Sequence, residues 1–412
     1  MSENLGEGGI VVVGGGFAGL WAALLACREI DAAGGGAAVT LVSKDEHLTL
    51  RPRLYEAEPE RFRTPLRPIL EPVGARFVHA AAAGLDLPGR RVELDGAAGA
   101  LGFDRLVLAT GSVLAPPPVI GLEFAFDIDT WAGAVRLDRH LAQVLAEPAA
   151  PGRDTVVVVG AGFAGIELAA ELRGRIAARA GAARGRAARA LLLDRALAVG
   201  PELGAKPRPV IEAALAEAGV DVRLGATVEA IDAGGLTLAG GERIAARTVV
   251  LSTGLRASPL AEALPVALDR LGRVPVDEML RVPGLDGVFA AGDVARAVVD
   301  TAGHCALMSC QHAMTMGRYA GHNAARDLIG LPPEPYRQER YVTCLDLGAA
   351  GAVFTRGWDR EVEKTGAEAK QYKRIINGEI IYPPSGDRAA ILAAATLVPQ
   401  HHRRPPETRT AG

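Results

Sequence analysis

The sequence predicts an α/β protein with two parallel-sheet domains, the second inserted into the first, and a small C-terminal region. Three observations predict it. The chain has 412 residues, room for two or three cores, and carries 50 glycines with only 4% aromatic residues, a composition suited to close backbone packing. The frame Val-Val-Val-Gly-x-Gly-Phe-Ala-Gly occurs twice, with its first glycines, Gly14 and Gly160, 146 residues apart. Each copy stands between a β-branched apolar run and an Ala/Leu-rich stretch, the strand–turn–helix order of a Rossmann-like dinucleotide-binding unit.

The elements follow in order. "IVVVGGG" reads as a strand buried on both faces, "FAGLWAALLACREI" as a helix, and "AAVTLVS" as the next strand, together a βαβ unit. "HLTLRPRLYEAEPERF" reads as a loop because Pro52 cannot donate to a sheet. "FDRLVLATGS" is a strand ending in a turn at Gly111, and "APPPVIGLEFAF" a crossing linker. A helix over "TWAGAVRLDRHLAQVLAEP" precedes the second βαβ unit, which begins at Thr155 and ends on "LLLD". The Arg-rich extension "RGRIAARAGAARGRAARA" reads as a solvated helix end rather than a docking surface. Short strands with Gly turns follow as far as "LSTG"; then come the strand "LDGVFAAGDVA" and a long helix over "ALMSCQHAMTMGRYAGHNAARDLIG". The C-terminal region pairs strand-like "YVTCLDLGAAGAVF" with the basic helix "AEAKQYKRIIN", and the tail "HHRRPPETRTAG" is expected to be disordered.

The bulk numbers exclude several classes. A net charge of −3 gives no field for nucleic acid or an anionic membrane. Cys27, Cys305, Cys310 and Cys344 make no disulfide framework and point to a reducing cytoplasm. Gly8 to Cys27 is uncharged, but its acidic start and glycine cluster oppose a membrane span or signal peptide. No spacing suits a metal.

In each fingerprint, glycine permits the tight turn and the approach of backbone to a pyrophosphate, which the helix N-terminus receives with unpaired N–H groups. The strand after the second copy ends at Asp194, suited to a ribose 2′-OH and hostile to a 2′-phosphate, so NADH is favoured over NADPH despite the neighbouring Arg195. The strand after the first ends at Ser43, a hydroxyl, with Asp45 and Glu46 within reach of the same ribose.

With these residues the chain resembles two-dinucleotide-binding flavoproteins of the pyridine nucleotide–disulfide reductase type, and most closely the type II NADH dehydrogenases. The resemblance spans about residues 8 to 330 and rests on both fingerprints, "HLTLRPRLYE", "LVLATGS", Glu167, "LSTG" and "GVFAAGDVA". It implies FAD on the first unit and NADH on the second. The implied boundaries are 1–120 and 256–330 for the FAD domain, 121–255 for the NADH domain and 331–412 for the C-terminal region. The implied cofactor contacts are Gly14, Gly16, Phe17, Ala18, Gly19, Ser43, Lys44, Arg51, Thr110, Gly111, Gly292 and Asp293 around FAD, and Gly160, Gly162, Phe163, Ala164, Gly165, Asp194 and Gly254 around NADH. Glu167 is the implied catalytic residue, positioning the nicotinamide or a water and tuning local charge; a glutamate favoured by the helix macrodipole is the alternative.

The resemblance implies a quinone-like small molecule as electron acceptor, with membrane contact at most peripheral, at the inner face of the cell membrane; a homodimer stays open. On the helix where the family carries paired glutamines, Gln311, the last of the implied cofactor contacts, and Gly317 fit, but Thr315 and Met316 replace the pair. A soluble reductase with another acceptor, or a redox-sensing flavoprotein like apoptosis-inducing factor, therefore remain as alternatives. Cys305 and Cys310 read as buried or flavin-adjacent thiols, and the lack of cysteine between Cys27 and Cys305 weakens a sulfide:quinone reductase reading. Tyr372, Ile375 and Ile376 are expected to pack their helix on the core rather than on a membrane.

Overall fold

A computed structural model describes residues 8–96 and 99–398. The chain opens with β1 (Ile10–Val13), α1 (Phe17–Ala32), β2 (Val39–Ser43), β3 (Arg76–His79) and β4 (Arg105–Leu108). Then follow β5 (Phe126–Asp127), α2 (Trp131–Ala146), β6 (Thr155–Val159), α3 (Phe163–Ala180), β7 (Arg189–Asp194), β8 (Val220–Leu224) and β9 (Thr248–Leu251). β10 (Val288–Ala290), α4 (Cys310–Leu328), β11 (Val342–Asp346), β12 (Ala352–Arg356), β13 (Glu361–Thr365), α5 (Gly366–Ile375) and α6 (Arg388–Ala394) complete the set used below.

Two five-stranded parallel sheets carry the fold, in the orders β10-β4-β1-β2-β3 and β5-β9-β6-β7-β8. In both, the strand before the glycine fingerprint is flanked on each side. β1 and the last four residues of β6 are therefore buried on both faces, which is why they read Ile-Val-Val-Val and Val-Val-Val-Val. The register brings Val13 beside Val42 and Leu108, and Val159 beside Leu193 and Leu251. Strand ends thus line up, and both glycine turns leave at the carboxyl edge, where α/β sheets bind ligands. The two crossing segments pair with each other, Ser112–Leu114 running antiparallel to Leu255–Ala257. A third sheet, β11-β12-β13, is antiparallel and carries α5 across it, with Tyr372 set edge-on against Phe354.

Helix α1 lies along α4 at backbone contact. A Cβ on Gly317 would stand 2.2 Å from Ala18 O, and one on Gly321 2.0 Å from Ala22 O, so glycine there sets the distance between the helices.

Four readings change. The "HLTLRPRLYEAEPERF" loop contains a short antiparallel pair, His47–Thr49 with Arg63–Pro65, its far strand ending in the proline that needs no ladder bond. The long helix begins at Cys310 rather than Ala306, because Ser309 is its N-cap and accepts from His312 N–H. "YVTCLDLGAAGAVF" is two strands around a turn at Gly348. The Arg-rich run is an internal tie: Arg175 is buried and binds Tyr55 O and Asp138, Arg179 joins it on Asp138, and Arg184 takes Asp154. The stretch from Gly8 to Cys27 divides into strand, loop and helix, and no described helix is long and apolar enough to cross a membrane. The tail expected to be disordered lies outside the described residues.

Candidate functional site

Both glycine turns open into one cavity of about 3100 Å³ between the two parallel sheets and the C-terminal sheet. Gly14, Gly16, Phe17, Ala18, Ser43, Lys44, Arg51, Thr110, Gly111 and Asp293 line its first half. Gly160, Gly162, Phe163, Ala164, Glu167, Asp194 and Gly254 line the second, and Gln311 lies on the wall beside the C-terminal sheet.

Gly19, Gly165 and Gly292, also expected around the cofactors, are not among the residues that line the cavity. A Cβ on Gly19 would be 1.7 Å from Gly14 O and one on Gly165 1.9 Å from Gly160 O, so both let a helix press onto its own turn. Gly292, at φ +77°, faces Ala18 at 2.8 Å in the same sense.

In the first half, Arg51 holds Asp129 and donates to Ser112 Oγ at 2.8 Å, and Ser112 Oγ donates to Asp293 Oδ2 at 2.6 Å. Burial pushes Asp293 above its ordinary range, against the pull of Arg51. Ser43 is buried at the end of β2, its Oγ 2.5 Å from where a Gly15 Cβ would be. Thr110 Oγ1 is buried without a hydrogen-bond partner among the described residues. Nothing lies within 4 Å of a Cβ built on Gly16. An open helix N-terminus, an unsatisfied hydroxyl and a glycine facing free space fit a dinucleotide of the flavin type.

In the second half, Asp194 Oδ2 accepts from Ala161 N–H at 2.6 Å and Oδ1 from Ala196 N–H at 2.8 Å. Each oxygen keeps a second lone pair for a ribose hydroxyl. Arg195 is exposed on the rim.

Glu167 lies one turn into α3 and is 3% exposed. Its Oε1 accepts from Lys373 Nζ at 2.7 Å and from Asp346 N–H at 2.9 Å. Its partners come from other elements, so the helix macrodipole is not what fixes it. Burial raises its carboxyl to about 7, although Lys373 pulls the other way. Burial pulls the Lys373 ammonium down, but Glu167, joined by Cys344 and Asp346, holds it above its ordinary value. Tyr55 donates to Asp346 Oδ2 at 3.0 Å, and burial, followed by Glu167, pushes its phenol well up. Lys373, Asp346 and Tyr55 escape sequence reasoning: Asp346 and Lys373 lie 179 and 206 residues beyond Glu167, and no spacing announces them. Tyr55 lies inside the quoted "HLTLRPRLYE" but carried no assigned role.

On the acceptor side the Gln311 amide is committed to β11, donating to Val342 O at 3.2 Å and accepting from Val342 N–H at 3.4 Å. Thr315 Oγ1 donates to Gln311 O, and Met316 is fully buried. The four cysteines are free; burial raises Cys310 to about 11 and Cys344 to about 12, so neither offers a thiolate at neutral pH.

The pyridine nucleotide-disulphide oxidoreductase family matches residues 8–317. An NADH dehydrogenase-like protein of Mycobacterium tuberculosis is 49% identical over 391 residues, covering 94% of this chain and 97% of its own. The type II NADH:quinone oxidoreductase of the same organism is 31% identical, covering 80% and 75%. Among solved structures, the sulfide:quinone oxidoreductase of Aquifex aeolicus superposes with a TM-score of 0.75 at 19% identity, covering 96% and 94%, a likeness of fold.

Proposed function

The chain belongs to the pyridine nucleotide-disulphide oxidoreductase family, and we propose that within it the protein is an NADH dehydrogenase that holds FAD on the first glycine turn, accepts hydride from NADH on the second, and passes the electrons to a quinone-like small molecule. The observation that carries this reading is the single cavity into which both turns open, with the titratable Glu167 on the second turn's side and a hydroxyl and apolar wall on the first. The relatives at 49% and 31% identity point the same way.

When bound, a flavin supplies a hydride acceptor at N5 and releases electrons to a second acceptor. The residues have four tasks. The turn at Gly14–Gly16 and the N-terminus of α1 bind a pyrophosphate, with Ser43, Lys44 and Thr110 as further polar groups around it. The turn at Gly160–Gly162 does the same for NADH, and Asp194 orients its adenosine ribose. Packing of α3, α5 and β11 around Glu167 keeps its carboxyl out of water at the cavity wall. Glu167 Oε1 and Lys373 Nζ hold a proton between them there, on a carboxyl that titrates near 7. Glu167 is thereby a positioning residue that sets local charge.

Reduction of a quinone to a quinol by NADH takes up one proton beyond the transferred hydride, and this pair is a titratable group on the cavity wall that can exchange one. The bonds to Val342 fix the Gln311 side chain on the wall, where, among the described residues, its second N–H and second lone pair stay free for an acceptor. Anaerobic addition of NADH to the purified yellow protein tests the reading: bleaching of the flavin colour is expected, followed by rapid return of colour with a short-chain quinone and slow return in air. A flavin that does not bleach refutes the NADH assignment; rapid return in air alone refutes the quinone.

A further inference from the structure

The two glycine turns differ at the point where helix meets phosphate. At α1 the space over Gly16 is open. At α3 a Cβ on Gly162 would lie 2.9 Å from Glu202 Oε1, and that oxygen accepts from Phe163 N–H, the first residue of the helix, at 3.1 Å. Glu202 comes from the turn Pro201–Leu203, and Gly200 N–H, donating to Ala161 O at 2.9 Å, lays that turn on the glycine loop itself. A carboxylate at a helix N-terminus uses the unpaired N–H and the positive end of the dipole. A dinucleotide pyrophosphate uses the same two things, and the two anions cannot share them.

Arg360 is the second, independent observation. It reaches in from the turn between β12 and β13, at φ +56°, and is 7% exposed. Its Nη2 donates to Glu202 O at 3.2 Å, and its Cζ lies 4.4 Å over the Tyr341 ring. Its Nη1 is buried with no hydrogen-bond partner among the described residues, and both Arg360 and Tyr341 line the cavity. A buried guanidinium with one of its nitrogens left without an acceptor, next to the glycine turn, matches phosphate chemistry.

We propose that Glu202 is a built-in competitor for the pyrophosphate of the nicotinamide dinucleotide at the N-terminus of α3, displaced when the dinucleotide binds, and that Arg360 from the C-terminal region supplies the cation that receives the pyrophosphate. The proposal rests on the second turn's being the NADH site. It gives the two turns different binding behaviour, since the competitor stands only at the one whose ligand must enter and leave in each turnover. It also makes the C-terminal region part of the dinucleotide site.

The test is calorimetric titration of the FAD-loaded protein with ADP-ribose, which carries the pyrophosphate, and with adenosine, which does not. Glu202→Gln is expected to tighten ADP-ribose about three- to tenfold and leave adenosine unchanged. Arg360→Gln is expected to weaken ADP-ribose about tenfold, with Arg360→Lys restoring much of the affinity. The flavin absorbance of each variant reports that it is folded, and Glu202→Gln, at an exposed position, keeps the test open should Arg360 variants misfold. ADP-ribose affinity unchanged in Glu202→Gln and Arg360→Gln, or adenosine shifting by the same factor, overturns the proposal while leaving the NADH assignment standing. Failure of the wild-type protein to bind ADP-ribose overturns both.

Discussion

Exchanging Glu167 for Gln removes a charge and keeps a shape; Lys373→Met does the same on the facing side chain. The two side chains are 3% and 6% exposed and meet at 2.7 Å. Burial raises the Glu167 carboxyl from 4.5 to about 7 even with the ammonium beside it, so the folded protein favours the neutral form. At about 1.4 kcal/mol per pH unit that preference is worth about 3 kcal/mol. Gln copies the neutral form, so Glu167→Gln escapes the cost of holding an ionised, buried carboxylate at and above neutral pH. In Lys373→Met the ammonium that pulls the carboxyl down is gone, so Glu167 rises further and is protonated at pH 7. Thermal unfolding of the FAD-loaded protein reads the series, at about 2–4 °C per kcal/mol for domains of this size. Glu167→Gln is expected to match wild type near pH 4.5 and to melt roughly 10 °C above it at pH 8. A Glu167→Gln variant that melts below wild type at pH 8 refutes the raised carboxyl. The pH dependence has a definite sign. The folded-state value of Glu167 lies above its ordinary 4.5, so the folded protein keeps a proton that the unfolded chain releases. This contribution is complete below about 4.5, is lost as pH rises through about 7, and persists to higher pH in Lys373→Met.

Stopped-flow reduction of the flavin by NADH in wild type should show an inflection near pH 7; in Glu167→Gln the rate falls about tenfold or more and the inflection disappears, with the flavin spectrum intact. An unchanged rate and profile would leave Glu167 a purely structural role. Gly165→Ala, whose methyl would lie 1.9 Å from Gly160 O, is expected to lose NADH affinity and keep FAD, whereas Gly19→Ala, at 1.7 Å from Gly14 O, loses FAD; flavin absorbance and NADH titration of both variants decide whether the two turns have the assigned ligands. Asp194→Ala leaves the Ala161 and Ala196 amides without their acceptor and is expected to raise KM for NADH about tenfold while sparing NADPH. Equal loss for both nucleotides would show that Asp194 only shapes the loop.

The parts of the fold and site that repeat locally were legible in the sequence. A strand buried on both faces must be continuously apolar, and a helix pressed onto its own turn needs glycine at a fixed offset, so β1, α1, β6 and α3 could be placed from short windows. The same windows could not separate glycines that face the cavity, such as Gly16, from those that stand behind it, such as Gly19, because both kinds answer to close backbone approach. The C-terminal contribution was illegible for a different reason. Lys373 sits in "AEAKQYKRIIN", whose pattern is that of an ordinary basic amphipathic helix, and only the packing of α5 across β11 and β12 turns it toward Glu167. Arg175 misled in the same way, since nothing in an Arg/Ala-rich run marks the one arginine that a distant aspartate will bury.

The two copies differ in kind two residues beyond the end of the shared frame, Trp21 in one and Glu167 in the other, each the fifth residue of its helix. Both positions meet a buried cation from a later helix: Arg318 of α4 lies 3.4 Å over the Trp21 ring, and Lys373 of α5 holds Glu167 at 2.7 Å. An aromatic face attracts a cation through its quadrupole, without a titrating group. A carboxylate does so with one, and its charge follows pH and the charge of whatever lies beside it. The first arrangement suits a ligand that stays, and the second suits one that must be bound, oxidised and released. If that division of labour is right, Trp21→Phe should leave the pH profile of flavin reduction unchanged while Glu167→Gln abolishes its inflection, and two variants with matched profiles would show that the duplicated frame had not diverged in function at this position.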